Sequence, residues 1–247
     1  MNYRMQIQYD GTRYRGWQRQ SAAGDTIQGK LEAILTRRFG RNIEIDGASR
    51  TDAGVHALAQ IANFHVSEEE AVKPAELQKY INQYLPEDIA VTGVAEAGER
   101  FHSRLNATGK TYEYHLLRHG AYNVFARKYA WQMTAPLDIA AMREAAGHVL
   151  GSHDFRSFCT KAAKKKSTVR TIRLLEIYET KDEIIIEIAG NGFLYNMVRI
   201  LVGTLVEVGL GLRSPGEIPE IIDKKERRYA GETAPACGLF LKQIYYE

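Results

Sequence analysis

Alternating strand patterns occur in two separate stretches of this 247-residue chain, and each stretch also contains two helix patterns. From Tyr3 to Tyr9 every second residue is apolar, which is typical of a half-buried strand. The alternation starts again at Thr111, after helix patterns at residues 27–35 and 74–85. Strands and helices in this order predict an α+β protein with mostly antiparallel sheets. We expect two α/β halves, residues 1–105 and residues 106–247.

The first two helix patterns carry recognisable start signals. Asp25 is predicted to be the N-cap of the first helix, because Gln28 follows three residues later. Pro74 opens the second helix. Its apolar stripe includes Tyr80 and Tyr84, so these two tyrosines are predicted to lie in the core.

The segment Gly47–His56 carries the main candidate for chemistry. Small residues surround one carboxylate, Asp52, and Arg50 lies two positions before it. A neighbouring guanidinium keeps a carboxylate ionised, and an ionised carboxylate can act as a nucleophile. The same residues also fit a loop aspartate that is satisfied by turn amides and a surface ion pair. Both interpretations remain open from these residues alone.

Basic residues are clustered although the formal net charge is only +3. Residues 155–175 contain seven lysines and arginines and no acid, and residues 11–41 contain seven against two acids. The loop at 12–20 also alternates arginines with aromatic rings, a mixture that suits phosphates and bases. The clusters fit either an RNA-binding face or solvated loops and helix faces. We expect the 156–173 basic loop to be mobile.

Signals for metals, nucleotides and membranes are weak. Cys159 and Cys237 lack metal-ligand spacing, and His115 and His119 fit ordinary strand residues better than metal ligands. Residues 24–30 match half of a P-loop, but Leu31 stands where a serine or threonine is required. The apolar stretch 197–212 is too short to span a bilayer. We therefore expect no cofactor, no metal, no membrane contact, reduced thiols and a cytoplasmic location.

Arg199 is unusual because it lies within an apolar helix pattern at residues 194–208. A charge in that setting requires a carboxylate partner, or a route to solvent along its long side chain. Both interpretations remain open.

Five blocks of the chain together resemble the bacterial tRNA pseudouridine synthase A (TruA) family. In order along the chain they are Tyr9–Thr12 with Gly16–Gln20, Arg50–Ala57, Phe101–Arg104 with Lys110–Tyr114, Phe193–Arg199, and Ala236–Leu241. The Arg-Thr-Asp-Ala-Gly-Val-His sequence at 50–56 is highly specific for this family. Ser49 departs from the pattern, because many relatives have glycine there.

The resemblance implies an isomerase without cofactor or metal that converts uridine to pseudouridine at positions 38–40 of the tRNA anticodon stem-loop. It implies two α/β halves fused into one extended sheet, the pseudouridine synthase fold, and a homodimer that binds tRNA. Asp52 would be the nucleophile, Arg199 its partner, and Tyr112 the ring that stacks on the target base. Arg50 would contact the RNA near the flipped nucleotide, and Leu239 would line the pocket.

Two other functions fit parts of the sequence. A non-catalytic tRNA-binding module accounts for the basic and aromatic loops but gives Asp52 no task. An N-glycosidase would also place a carboxylate near a sugar carbon, but it would leave an abasic site. Within the synthase interpretation, the residues do not distinguish a covalent adduct from a glycal-like intermediate.

Overall fold

A computed structural model describes residues 1–20, 25–160 and 167–246. Its strands and helices, in chain order, are β1 Asn2–Tyr9, α1 Ile27–Phe39, β2 Asp46–Gly47, β3 His56–His65, α2 Pro74–Tyr84, β4 Ile89–Ala97, β5 Ala107–Leu117, β6 Trp131–Gln132, α3 Ile139–Gly147, β7 Gly151–Asp154, β8 Val169–Glu179, β9 Glu183–Gly190, α4 Met197–Gly209, α5 Glu217–Lys224 and β10 Leu239–Tyr246. The α+β class predicted from the sequence is confirmed.

Two compact units make up the chain. One contains Met1–Thr108 together with Phe240–Glu247, and the other contains Gly109–Leu239. The sequence assigned the last strand to the C-terminal half. The strand belongs with the first unit because β10 pairs in parallel with β3, where Phe240 lies opposite His56 and Leu241 opposite Ala57.

Strands in the first unit follow the order β4-β1-β3-β10. β1 is antiparallel to both of its neighbours, and short β2 pairs with β3. The side chains of Tyr3, Met5 and Ile7 are buried, and those of Arg4 and Gln6 are exposed, as the alternation predicted. α1 contacts α2, and α2 packs on β4.

Strands in the second unit follow the order β5-β9-β8-β7, with antiparallel neighbours throughout. β8 and β9 form the hairpin that the sequence predicts. α3 packs against α4 and β8. Buried apolar residues make up much of α4, among them Ile200, Leu201 and Leu205.

The N-cap prediction for α1 is wrong by one residue. Thr26 is the N-cap, because its backbone is extended and its buried hydroxyl accepts a hydrogen bond from the Gly29 amide at 3.2 Å. Asp25 instead forms an exposed ion pair with Lys30, 3.0 Å away. The carboxylate is left outside the helix because the chain is still extended at Thr26.

The prediction that Tyr80 and Tyr84 are core residues is also wrong. Tyr84 is 40% exposed, and the two rings lie against each other with centroids 4.9 Å apart. Arg37 lies 4.5 Å from the Tyr84 ring and Arg38 lies 5.5 Å from the Tyr80 ring. The apolar stripe therefore continues past the core, where cations from α1 cover it.

No helix within the described residues is long and apolar enough to cross a bilayer. Residues 161–166, the centre of the predicted mobile basic loop, lie outside the described residues.

Candidate active site

A tight turn between β2 and β3 carries Asp52. The Val55 amide donates to the Asp52 carbonyl at 3.1 Å, and Gly54 supplies the positive φ of 79° that closes the turn. The Asp52 side chain is half-buried, and Arg50 is exposed. Half-burial leaves a carboxylate reachable by a substrate while restricting the water around it.

Residues 9–17 support this turn through backbone hydrogen bonds. The Trp17 amide donates to the Thr51 carbonyl at 3.0 Å, and the Gly54 amide donates to the Tyr14 carbonyl at 3.3 Å. Gly16 has a φ of 93°, and a Cβ there would lie 2.6 Å from the Thr51 carbonyl oxygen. Only glycine permits this close approach of two backbone segments.

The prediction that the 12–20 loop stacks on bases is not supported by its aromatic residues. Trp17 is only 1% exposed, and Tyr14 is buried as well. The Trp17 ring fills the space beside Gly47, where a Cβ would lie 2.3 Å from its Nε1 atom. The Tyr14 hydroxyl donates to Asp88 at 2.7 Å. The two rings therefore anchor residues 9–17, the segment that supports the Asp52 turn.

Three side chains that the sequence analysis did not propose as site residues connect residues 9–17 with the Asp52 turn. They are Tyr9, Thr51 and His56. The Tyr9 hydroxyl lies 2.7 Å from the Thr51 hydroxyl. The His56 Nδ1 atom lies 3.0 Å from the Gly11 amide nitrogen and 3.1 Å from a carboxylate oxygen of Asp10. The His56 ring also stacks on Phe240 with centroids 4.6 Å apart. His56 is the last residue of the Arg-Thr-Asp-Ala-Gly-Val-His block, and this motif is the sequence signal that could have identified it.

In the second unit, Tyr112 lies on β5 opposite Ile188 of β9. Its side chain is 7% exposed and meets Phe193 edge-on, with ring centroids 5.2 Å apart and an angle of 89° between the planes. An edge-on aromatic contact fixes the orientation of the Tyr112 ring. Leu239 is buried at the start of β10.

Arg199 is the third residue of α4, and its guanidinium is held in place. Its Nε donates to the Ala234 carbonyl at 2.7 Å, and its Nη1 donates to the Asn196 side-chain oxygen at 3.3 Å. Burial raises the pKa of the Cys237 thiol, and the positive charge of Arg199 opposes that rise. The arginine is thus directed at the 234–237 segment by specific hydrogen bonds.

A sequence model of the family described as "tRNA pseudouridine synthase" matches residues 5–106 and 145–247. These ranges include Asp52, Arg50, Arg199 and Leu239. The chain belongs to the tRNA pseudouridine synthase family. This confirms the family that the five motif blocks indicated.

Curated relatives within the tRNA pseudouridine synthase family align with almost the entire chain. A "tRNA pseudouridine synthase A 2" of Bacillus cereus is 47% identical over 99% of both chains. "tRNA pseudouridine synthase A" of a Bacillus species is 47% identical over 99% of both. "tRNA pseudouridine synthase A 2" of Clostridium tetani is 43% identical over 99% of this chain and 98% of the relative.

Each of the two units fixes the positions of some of the predicted site residues. The first unit places Asp52 and Arg50 on one supported turn, and the second fixes the side chains of Tyr112 and Arg199. The pairing of Asp52 with Arg199 stays a prediction.

His115, one of the two histidines weighed as metal ligands, contacts two glutamates. His115 lies between Glu183, 2.8 Å from Nδ1, and Glu113, 3.2 Å from Nε2. Across the described parts of the chain, no group of three or more histidine, cysteine or acidic side chains is arranged to hold a metal ion. Cys159 and Cys237 are both free thiols.

Proposed function

We propose that this protein isomerises uridine to pseudouridine at positions 38–40 of the tRNA anticodon stem-loop. The observation that carries the proposal is the half-buried Asp52 on a turn fixed by backbone hydrogen bonds, in a chain of the tRNA pseudouridine synthase family. A protein that only binds RNA would have no use for a carboxylate held in one position.

The target uridine is stacked in the stem-loop, so it is first flipped out of the stack. Flipping costs on the order of a few kcal/mol, and stacking on an aromatic ring returns roughly 1–3 kcal/mol per base. Tyr112 provides that ring in our proposal, and because its side chain is only 7% exposed, the ring face has to be uncovered when tRNA binds. Its edge-on contact with Phe193 supports this role, because a ring that is already oriented loses little entropy on stacking.

Asp52 acts on the flipped nucleotide as the nucleophile and is released unchanged when the product forms, and Leu239 lines the pocket around the base. The glycosidic C–N bond breaks, the detached uracil rotates, and a C–C bond forms between the same sugar carbon and the base. The carbon that forms this bond loses its proton, and the ring nitrogen that left the sugar gains one. No electrons are exchanged and no water is consumed, so the reaction is a net isomerisation.

Arg199 keeps Asp52 ionised in our proposal, and Arg50 contacts the RNA near the flipped nucleotide. A carboxylate in a partly apolar site without a cation nearby would take up a proton and lose nucleophilicity. The hydrogen bonds from Arg199 to Ala234 and Asn196 support this role, because they hold the guanidinium in one orientation. We further propose that the protein acts as a homodimer.

The decisive experiment compares the protein with its Asp52→Asn variant on unmodified tRNA transcript. We expect tRNA affinity to change by less than about twofold and pseudouridine formation to be lost, because an amide is not a nucleophile. Asp46→Asn, which alters an exposed aspartate six residues earlier, serves as the matched control and retains activity. Chemical mapping of pseudouridine and a filter-binding titration supply the two readouts.

Three outcomes would contradict the proposal. Full activity in Asp52→Asn would remove the catalytic role of this carboxylate. No pseudouridine with the unaltered protein would favour a binding module. Release of free base with an abasic site would identify an N-glycosidase.

A further inference from the structure

The segment between β5 and β6, residues 118–130, has a defined shape built from its own hydrogen bonds. The Ala121 amide donates to the Arg118 carbonyl at 3.0 Å, and the Tyr129 amide donates to the Ala126 carbonyl at 2.8 Å. The Asn123 side chain accepts from the Phe125 amide at 3.0 Å. The segment is therefore organised before any partner binds.

Burial within this segment is inverted. Its small residues face inward, where Ala126 and Ala130 pack with Leu117. Its large apolar residues face solvent, with Tyr122 95% exposed and Phe125 83% exposed. A folded segment that buries alanines and exposes aromatic rings is typical of a binding surface.

The charge of the segment indicates what that surface binds. Arg127 and Lys128 are exposed close to the rings in the chain, and no aspartate or glutamate occurs from residue 118 to residue 137. On the strands beside it, Glu179 pairs with Arg118 at 2.9 Å and Glu183 pairs with His115 at 2.8 Å. Exposed rings and exposed cations in one segment suit stacked bases and phosphates.

A second copy of the chain is a poorer fit for the same surface. In a twofold symmetric contact, a surface patch near the axis meets its own copy. This patch would bring Arg127 and Lys128 toward the same cations of the other copy, within a segment that contributes no acid. RNA is a polyanion and removes that repulsion.

The position of the segment suits a partner that extends beyond the reacting nucleotide. Tyr112 and Leu117 lie five residues apart on β5, which corresponds to about 17 Å along a strand. A tRNA with its target base on Tyr112 is large enough to reach past the end of β5. The segment lies outside residues 5–106 and 145–247, the ranges that the family model matches.

We propose that Tyr122, Phe125, Arg127 and Lys128 form a tRNA-binding surface, here called the β5–β6 surface. The two rings contact nucleotides, and the two cations contact phosphates. This inference rests on the proposed function only for the identity of the RNA, since the binding experiment does not require turnover.

The test uses the full-length protein with the double substitution Tyr122→Ser and Phe125→Ser. We expect the Kd for tRNA transcript to rise about tenfold or more, the kcat at saturating tRNA to remain within about twofold, and the sedimenting mass to stay unchanged. Tyr122→Phe with Phe125→Tyr is the matched control, because it retains both rings and should bind tRNA normally.

A second variant tests the cations separately. Arg127→Gln with Lys128→Gln removes the two cations that contact phosphates. We expect the slope of log Kd against log salt concentration to become shallower by the amount that about two phosphate contacts contribute. This variant also decides the matter if the serine variant does not fold.

Two results would overturn the inference. In the first, both variants bind tRNA as the unaltered protein does. In the second, the serine variant sediments at half the mass, which would assign the surface to a second copy. Absence of pseudouridine with the unaltered protein would contradict the proposed function alone, since the comparison of Kd values would still stand.

Discussion

Gly16 shows how one residue controls the geometry of the candidate nucleophile. Its positive φ and the 2.6 Å gap between a built Cβ and the Thr51 carbonyl oxygen leave no room for any side chain. The cost of a substitution has two parts, the left-handed backbone conformation and the displacement of the Asp52 turn. The second part affects catalysis, because small misplacements of reacting groups slow reactions strongly.

We predict that Gly16→Ala lowers the free energy of unfolding by about 2 kcal/mol and lowers kcat on the order of 10²-fold. Urea denaturation and single-turnover kinetics measure the two effects. Gly40→Ala is the control, because Gly40 also has a positive φ but a Cβ there meets nothing within 4 Å. That variant should lose about 1 kcal/mol of stability and keep its kcat. Equal kcat values for all three proteins would contradict the role of Gly16.

At the scale of one element, the start of α1 depends on a single buried hydroxyl. Thr26→Ala removes the acceptor for the Gly29 amide, and we expect a loss of about 1 kcal/mol in the free energy of unfolding. Asp25→Ala removes only an exposed ion pair and should change stability by less than about 0.5 kcal/mol. Urea titrations of both variants test this order. A larger loss of stability in Asp25→Ala than in Thr26→Ala would show that Asp25 is the N-cap, as the sequence predicted.

The pairing of β5 with β9 has a pH-dependent component. Burial of His115 works to lower its pKa, but hydrogen bonds to Glu113 and Glu183 outweigh that effect, so the pKa lies above its usual value. A raised pKa in the folded state stabilises the protein below the unfolded value of about 6.5. This contribution is lost as the pH rises through the folded pKa.

We therefore predict that His115→Gln loses more stability at pH 5.5 than at pH 8.5. Urea midpoints at the two pH values supply the measurement. His119→Gln alters an exposed histidine four residues along the chain and should leave both midpoints unchanged. An equal loss from His115→Gln at both pH values would show that the imidazolium contributes nothing.

At the scale of the whole molecule, the last strand completes the unit that the first residues begin. Phe240 stacks on His56, and the Tyr246 hydroxyl donates to the Ser103 carbonyl at 2.7 Å. The chain ends therefore meet in one sheet, and β3 lacks its parallel neighbour until β10 is in place. The first unit therefore includes the part of the sequence that is most distant from its first residues.

A chain truncated after Gly238 should lose hydrogen-exchange protection along β3 and fail to form pseudouridine. Amide exchange followed by mass spectrometry measures the protection of residues 56–65. Tyr246→Phe is the control, because it removes one hydrogen bond and should cost only about 1 kcal/mol. Full β3 protection in the truncated chain would contradict the structural role of β10.

The sequence by itself determined the α+β class, the alternation of β1, the β8–β9 hairpin, the start of α2 at Pro74 and the family. These features follow from local periodicity, from start signals and from short motifs, all of which can be read over a few neighbouring residues. It also indicated Asp52, Arg50, Tyr112, Arg199 and Leu239 as site residues through the resemblance, and these roles remain predictions.

Only the tertiary structure decided which aromatic residues are buried, which segment supports the Asp52 turn, and which unit receives β10. Trp17 and Tyr84 are both aromatic residues among polar neighbours, but one ring fills the gap beside Gly47 and the other lies under Arg37 at the surface. Such outcomes depend on contacts between residues far apart in the sequence. A local pattern records which side chains are apolar, but not which distant segment will cover them.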